Sequence, residues 1–323
     1  MVVGNTHPPN ALVSYVKYVP TKRLTLWCRR GVCYDRVVKH YGVKNVVNST
    51  EGLQEYVYDP VLGARVPVVR LSRVVRLYYP EVRLAEIVKR PVDRLEEDVV
   101  RASEILRSYG VPWSSLGVGG SALPSIHNVG CSDVDMVVYG CRESVEVVES
   151  RFEGFSRLGG DVVRRKFVER SRRHGLSVEV LRAIYPPYKD LVIGGRKVNL
   201  SFVCRQVQRY GHEVFRVVGI VEAVVDILGG DCRSLFYPSR AEVLGVHSIK
   251  VWGARSSRSL NDLRRGLRYV VSYEGIYSYV MYRGGRVRVS GVLEEVLPSG
   301  DYVVVVGAYE NPGFIYWGPA RAS

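Results

Sequence analysis

One stretch constrains this chain more than any other: residues 116–140, which read LGVGGSALPSIHNVGCSDVDMVVYG. It begins with apolar residues, passes through a Gly-Gly-Ser turn and ends in an Asp-Val-Asp strand pattern. Because alternate side chains of a strand share one face, Asp133 and Asp135 are expected on the same side of the sheet. Neighbouring carboxylates repel each other, so a bound divalent cation is the natural reason for both to stay ionised.

The Gly-Gly-Ser turn suits the phosphates of a ligand. Gly119 and Gly120 have no side chains, so the backbone can approach a ligand closely. Ser121 is expected at a helix N-terminus, where free N–H groups and a hydroxyl can bind phosphate. Mg²⁺ (or Mn²⁺) takes a few carboxylates and leaves positions for water and substrate phosphates. The stretch therefore predicts a metal and nucleoside triphosphate site, with Asp133 and Asp135 as metal ligands.

This stretch resembles the signature of the DNA polymerase beta-like nucleotidyltransferase superfamily, in which Gly-Gly-Ser or Gly-Ser-Ser is followed by Asp-apolar-Asp. Here eleven residues separate Ser121 from Asp133. The resemblance implies an α/β core that transfers a nucleoside monophosphate from an NTP to an acceptor and releases pyrophosphate. The acceptor could be RNA, DNA, a protein or a small molecule. Residues 7–20, HPPNALVSYVKYVP, are similar to the start of an archaeal group of predicted nucleotidyltransferases, although an unrelated β-hairpin would read alike.

The resemblance also implies a third carboxylate on a neighbouring strand, which shares the metal and accepts the proton of the attacking hydroxyl. Residues 197–203, KVNLSFV, match that strand but carry Asn199 at the position of the acid. An amide oxygen can bind a metal but does not accept a proton at neutral pH. Three alternatives stay open. Two acids suffice, Glu179 or Asp190 supplies the missing one, or the protein binds nucleotide or RNA without turnover.

The charge of the chain favours polyanionic partners. Its formal net charge is +14, and Arg supplies 37 of its 46 basic residues. Nucleotides, RNA and other nucleic acids fit this balance, although a solvated basic surface would give the same composition. A predicted helix at 161–174 concentrates six of these charges, as a solvated face or as a clamp for phosphates: Arg164, Arg165, Lys166, Arg170, Arg172 and Arg173.

Several classes of protein are not expected. No apolar run reaches the ~18 residues of a membrane span, and the N-terminus lacks a signal-peptide pattern, so a cytoplasmic protein without a membrane partner is expected. The six cysteines form no C-x-x-C pair, which argues against a structural zinc site. Most are expected to be reduced and buried, although a disulfide is possible in a protein of a hyperthermophile. P-loop and G-x-S-x-G motifs are missing from the sequence.

Periodicity predicts an α+β fold: a nucleotidyltransferase core at 91–210, between an N-terminal β-rich segment at 1–90 and a C-terminal β-rich domain at 211–323. Apolar residues at 3–4 spacing predict a helix over 91–110. Further helices are expected at 34–41, 143–152 and 161–174, with helical spacing over 259–281. Strands are expected at 11–19, 24–29, 197–203, 213–226 and 242–252, followed by a hairpin within 285–317.

Overall fold

The computed structural model describes residues 1–253 and 259–318, which belong to two compact units. The central unit consists of residues 18–36 and 75–205, and the terminal unit consists of residues 1–17, 37–74 and those from 206 onward. This division differs from three consecutive domains. Residues 1–17 and 37–74 join the C-terminal half of the chain, whereas 18–36 join the predicted catalytic region.

Within the described residues, the strands are β1 (Ala11–Val13), β2 (Tyr18–Thr21), β3 (Trp27–Arg29), β4 (Val32–Arg36), β5 (Glu55–Asp59), β6 (Ala64–Arg70), β7 (Leu116–Val118), β8 (Val134–Tyr139), β9 (Ser156–Arg157), β10 (Leu191–Ile193), β11 (Arg196–Val203), β12 (Val214–Ile227), β13 (Ser239–Trp252), β14 (Leu267–Ser272), β15 (Gly285–Leu297), β16 (Asp301–Val306) and β17 (Phe314–Trp317). The α-helices are α1 (Val43–Thr50), α2 (Pro80–Lys89), α3 (Arg94–Ser108), α4 (Cys141–Glu149), α5 (Gly160–His174), α6 (Val178–Ile184), α7 (Leu260–Gly266) and α8 (Ser278–Arg283). This mixture confirms the α+β class.

The central unit is built on a five-stranded mixed sheet of order β7-β8-β11-β10-β9. Strands β8 and β11 run parallel, and the other neighbours are antiparallel. Along β8, Val134, Met136 and Val138 are fully buried, whereas the alternate residues are half-buried. The predicted helix at 91–110 is confirmed as α3, which packs against β8 and is capped by the Asp93 side chain. One face of the sheet is therefore covered, and the other presents Asp135.

A small antiparallel sheet of order β2-β4-β3 also belongs to the central unit. The predicted helix at 34–41 is wrong, because residues 32–36 form β4 and pair with strands on both sides. Gly42 precedes α1 rather than closing a helix. The expectation that most cysteines are reduced is wrong, because Cys28 and Cys33 form a disulfide between β3 and β4, and Cys141 and Cys232 are disulfide-bonded as well.

The terminal unit contains a six-stranded sheet of order β12-β13-β14-β16-β15-β17, and an additional β12–β15 pairing closes five of these strands into a ring. The predicted hairpin is confirmed as β15 and β16, with Val296 opposite Asp301. A continuous helix over 259–281 is wrong, because residues 267–272 form β14. The β-branched Val270 and Val271 pair there with β13 on one side and β16 on the other. Helices α7 and α8 flank the strand.

A second sheet of the terminal unit has the order β1-β6-β5. The strand expected over 11–19 is divided, because β1 pairs with β6 in this sheet and β2 pairs with β4 in the central unit. Among the residues that the structure describes, no helix combines the length and apolarity needed to cross a bilayer.

Candidate nucleotide and metal site

The two aspartates of the Asp-Val-Asp pattern lie at the start of β8, and Asn199 lies on the neighbouring strand β11. Asn199 is directly opposite Asp135 in the parallel register. Its Nδ2 atom donates to Asp135 Oδ1 at 3.1 Å and to Asp133 Oδ2 at 3.4 Å. Both carboxylates are therefore directed towards the same position, which the side-chain amide of Asn199 occupies. Asn199, where the sequence resemblance led us to expect a third acid, is thus in contact with both aspartates.

The glycine turn, residues 119–125, lies directly against Asp135. The Gly119 N–H donates to the backbone oxygen of Asp135 at 2.7 Å. Gly120 has a φ of +59°, and a Cβ atom added there would lie 1.9 Å from Asp135 Oδ2. Only glycine fits this position without displacing the carboxylate. The turn and the two aspartates therefore form one site.

Ser121 does not begin a helix, contrary to the sequence-based expectation. Residues 120–125 form turns, and Pro124 has no N–H to continue a helical ladder. The Ser121 side chain is buried, and its hydroxyl donates to Ser132 Oγ at 3.3 Å. The Ser132 hydroxyl in turn accepts from the Asn128 N–H at 2.9 Å. Ser121 therefore fixes the two ends of the segment 121–132 to each other.

The third carboxylate at the site is Asp190. Lys197 donates to Asp133 Oδ2 at 3.3 Å and lies 3.4 Å from Asp190 Oδ1. Asp190 Oδ2 also accepts from the Tyr185 hydroxyl at 2.7 Å and is paired with Lys166. The Asp190 side chain is only 9% exposed, and its residue has a φ of +61°, which is strained for a non-glycine residue. A buried acid in a strained conformation is typical of functional sites.

Glu179 is placed elsewhere. Ser177 caps α6, with its hydroxyl accepting from the Val180 N–H, and Leu181 and Ile184 turn inward to be fully buried. Glu179 consequently lies exposed in the first turn of the helix. Hydrogen bonding at this helix start lowers the pKa of its carboxyl. Asp190, rather than Glu179, is therefore the carboxylate that the fold adds to Asp133 and Asp135.

Cations surround these acids more densely than the sequence indicated. Burial, reinforced by Arg170 and Lys197, lowers the pKa of Lys166 below its ordinary value. Burial also lowers the pKa of Lys189 to about 8, although Asp135 opposes this shift. Lys189 donates to the Leu200 carbonyl at 2.7 Å. Burial and mutual repulsion disfavour the charged forms of these lysines, and an anionic ligand would offset that repulsion.

Helix α5 contributes two of its six predicted basic residues to this region. Lys166 Nζ lies 5.1 Å and Arg170 Cζ 4.8 Å from the centre of the Tyr185 ring. These residues are one helical turn apart, so they share a face. Three others are exposed, namely Arg164, Arg165 and Arg172. Of the six, Lys166 and Arg170 are therefore the residues that the structure brings to Tyr185.

A second cluster with metal-ligating side chains consists of Asp93, Glu96 and His127, whose ligand atoms lie within 4.8 Å of one another. The carboxylate oxygens of Asp93 and Glu96 already have hydrogen-bond partners, whereas His127 Nδ1 is buried and has none among the described residues. Asp93 accepts from the Glu96 N–H at 3.0 Å and contacts His127 Nε2 at 2.8 Å. Glu96 accepts from the Val92 N–H and pairs with Arg83. A helix cap and an ion pair therefore account for the two carboxylates of this cluster.

Comparison with known proteins gives little further information. No protein-family model matches the chain, and no solved structure matches it. The chain is similar to an uncharacterized protein of Methanocaldococcus jannaschii, with 26% identity over 226 residues. The similarity covers 66% of this chain and 61% of that protein, so the chain spans less than two thirds of the relative's length.

Proposed function

We propose that this protein is a divalent-metal-dependent nucleotidyltransferase of the DNA polymerase beta-like kind, acting on an NTP and releasing pyrophosphate. One observation carries the proposal. The carboxylates of Asp133 and Asp135 both contact the side chain of Asn199, and the Asp135 carboxylate lies so close to Gly120 that a Cβ atom there would displace it. A solvated pair of strand-end acids requires neither feature.

The donor set fits Mg²⁺ or Mn²⁺. Asn199 Nδ2 lies between the two carboxylates, where a cation would attract both. A rotation of the same amide would present Oδ1 as an additional ligand. Oxygen ligands from two carboxylates and an amide are those that Mg²⁺ prefers. When bound, the metal would neutralise the phosphates of the nucleotide and stabilise charge in the transition state.

The surrounding residues would bind the nucleotide and hold a proton. Lys197, Lys166 and Arg170 supply positive charge for its phosphates on the side of the site that contains Asp190. Lys166 donates to the Tyr185 hydroxyl at 2.9 Å, and both contact Asp190. This connected set can hold or move a proton, a role that Asn199 cannot fill. Of the alternatives for the missing acid, the geometry favours Asp190.

A second candidate is a nucleotide-binding protein without turnover. Lys197 favours it, because its ammonium group lies 3.3 Å from Asp133 and supplies the positive charge that a metal would otherwise supply. In that case the site would bind a nucleotide through its cations, and Asn199 would mark the loss of chemistry.

An incubation of the pure protein with labelled NTPs, Mg²⁺ or Mn²⁺ and a mixed RNA pool tests the proposal. We expect label to be transferred, and Asp133→Ala to abolish the transfer with little loss of stability, since the Asp133 side chain is 40% exposed. Glu179→Ala is the matched control and should transfer label as the wild type does. Nucleotide binding without any transfer, to RNA or to the protein itself, would favour the second candidate. Full activity of Asp133→Ala would exclude the metal role.

A further inference from the structure

The small sheet of the central unit collects aromatic and arginine side chains on one face. In the antiparallel register Tyr18 lies opposite Arg36, and Tyr34 lies opposite both Pro20 and Trp27. Paired residues and alternate residues share a face of a sheet. One face therefore contains three aromatic rings and two arginines, and we call it the aromatic face: Tyr18, Trp27, Tyr34, Arg29 and Arg36.

The rings of the aromatic face are half-buried, so part of each remains accessible. The ring centroids of Tyr18 and Trp27 are 5.7 Å apart, with an angle of 52° between the rings. Arg36 Cζ lies 5.9 Å from the centre of the Trp27 ring. The rings are thus held in a fixed arrangement by one another and by a guanidinium group. Accessible aromatic rings with arginine beside them are the surface on which unpaired bases stack.

The opposite face has different chemistry. It carries the disulfide of Cys28 and Cys33, which ties β3 to β4. It also carries Asp35, whose carboxylate pairs with Arg23 at 2.8 Å. Residues 18–36 contain five Lys or Arg residues and one acid, and the only acid is therefore on the far side from the aromatic rings. The aromatic face is positively charged, which complements a polynucleotide backbone.

The aromatic face adjoins the glycine turn of the candidate site. Arg29 Nη1 donates to the Pro124 carbonyl at 2.7 Å, three residues after Ser121. Arg83 fixes the same turn through the Ala122 carbonyl at 3.3 Å. A chain bound on the aromatic face would therefore pass beside the position proposed for the nucleotide.

We propose that the aromatic face binds the end of a single-stranded polynucleotide, with unpaired bases stacked on Trp27 and its neighbours, and presents that end as the acceptor. The acceptor role rests on the proposed function, whereas the binding itself does not. Because the rings must reach the faces of bases, a paired duplex is a poorer ligand than a single strand.

Fluorescence anisotropy with short labelled oligonucleotides tests the proposal without turnover. The probes are oligouridylate, oligodeoxythymidylate and a duplex of the same length, added to the intact protein. We expect Trp27→Ala to weaken single-strand binding about 5- to 150-fold, the range for loss of one stacked base. Trp27→Phe, which keeps a ring, should retain most of the affinity. The two single strands show whether RNA is preferred to DNA.

The matched control is Trp113→Ala, since Trp113 has Arg107 stacked on it at 4.9 Å but lies outside the aromatic face. It should bind as the wild type does. Where Trp27→Ala alters the melting temperature, Arg36→Gln provides a second test and should also weaken binding. The proposal is overturned if the wild type binds no single strand, if a duplex binds equally well, or if Trp27→Ala and Arg36→Gln both bind as the wild type does.

The acceptor role has its own readout. Asp133→Asn should lose NMP transfer and keep its affinity for the oligonucleotide, which separates the site from the aromatic face. If no variant or wild type transfers a nucleotide while binding persists, the proposed function fails and the binding surface remains. If transfer to a small molecule or protein proceeds equally in Trp27→Ala, the polynucleotide acceptor is excluded and the proposed function remains.

Discussion

Replacing Gly120 with alanine probes the contact between the glycine turn and Asp135. The left-handed backbone at a φ of +59° costs a residue with a Cβ atom about 1–2 kcal/mol. The new Cβ would lie 1.9 Å from Oδ2 and 2.9 Å from Cγ of Asp135, so the carboxylate must move. That movement gives up the 3.1 Å hydrogen bond from Asn199, which is worth about 1 kcal/mol. We expect Gly120→Ala to lose about 2–3 kcal/mol of unfolding free energy and most of its affinity for Mn²⁺.

Gly175→Ala is the matched control. Gly175 has a φ of +64° but no atom within 4 Å of an added Cβ, so it carries the backbone cost alone. Urea unfolding gives the free energies, and calorimetric titration gives the affinity for Mn²⁺. We expect Gly175→Ala to lose about 1–2 kcal/mol and to bind Mn²⁺ like the wild type. Equal losses in both variants, with unchanged Mn²⁺ binding in Gly120→Ala, would refute the steric argument.

Two further changes test buried and clustered carboxylates. Burial raises the pKa of Glu294, which is 7% exposed, from 4.5 to about 7. The folded state therefore releases this proton at a higher pH than the unfolded state does. As the pH rises from 4.5 to about 7, the free energy of unfolding consequently falls by about 3 kcal/mol. Glu294→Gln should remove that loss, so its unfolding free energy should change less between pH 5 and pH 8; an identical pH profile would contradict this. Asn199→Asp places a third negative charge beside the carboxylates of Asp133 and Asp135. At an effective dielectric constant of about 20, each close pair of carboxylates repels by about 4 kcal/mol. The substitution should therefore lower the melting temperature without metal and enlarge the rise on adding Mg²⁺, and an unchanged rise would argue against a metal between these side chains.

Much of the site could be predicted because its determinants are local. The alternation of a strand places Asp133 and Asp135 on one side, whatever the rest of the chain does. The glycine pair marks a turn, and a side chain at Gly120 would collide with Asp135. Helix α3 was also predictable, since it has a long apolar stripe. Helix α5 was predictable from the acid in its first turn and the basic residues in its last turn, which suit its ends.

The lysines around the acids, Lys166, Lys189 and Lys197, were harder to predict. They lie on different elements of the chain and come together only in the folded central unit. A signal was nevertheless present. Lys197 is two residues before Asn199 in a predicted strand, so both share a face. The Gly194-Gly195 turn joins β10 to β11 and pairs Leu191 with Val198, which sets Asp190 beside the site. The positive φ of Asp190, in contrast, has no indication in the sequence.

The incorrect elements share one physical cause. Both ranges, 34–41 and 259–281, were expected to be helical. However, Tyr34 in the first range and residues 269–271 in the second have strand partners on two sides. Pairing with distant strands overrides local periodicity when both flanks of a segment are occupied. A pattern of alternation alone predicts β1 and β2 as one strand. They are separate because each pairs with a different sheet.

Because the terminal unit is discontinuous in the sequence, some of its contacts can form only late in protein synthesis. The Tyr210 hydroxyl donates to both carboxylate oxygens of Asp59, and Glu274 accepts from the Val43 N–H at 2.9 Å. When Val43 and Asp59 emerge from the ribosome, their partners Glu274 and Tyr210 are still more than 150 residues from being translated. The central unit, by comparison, has its complete sequence once residue 205 has emerged. Nascent chains therefore contain the complete sequence of the central unit while Val43 and Asp59 still lack the partners that they have in the terminal unit.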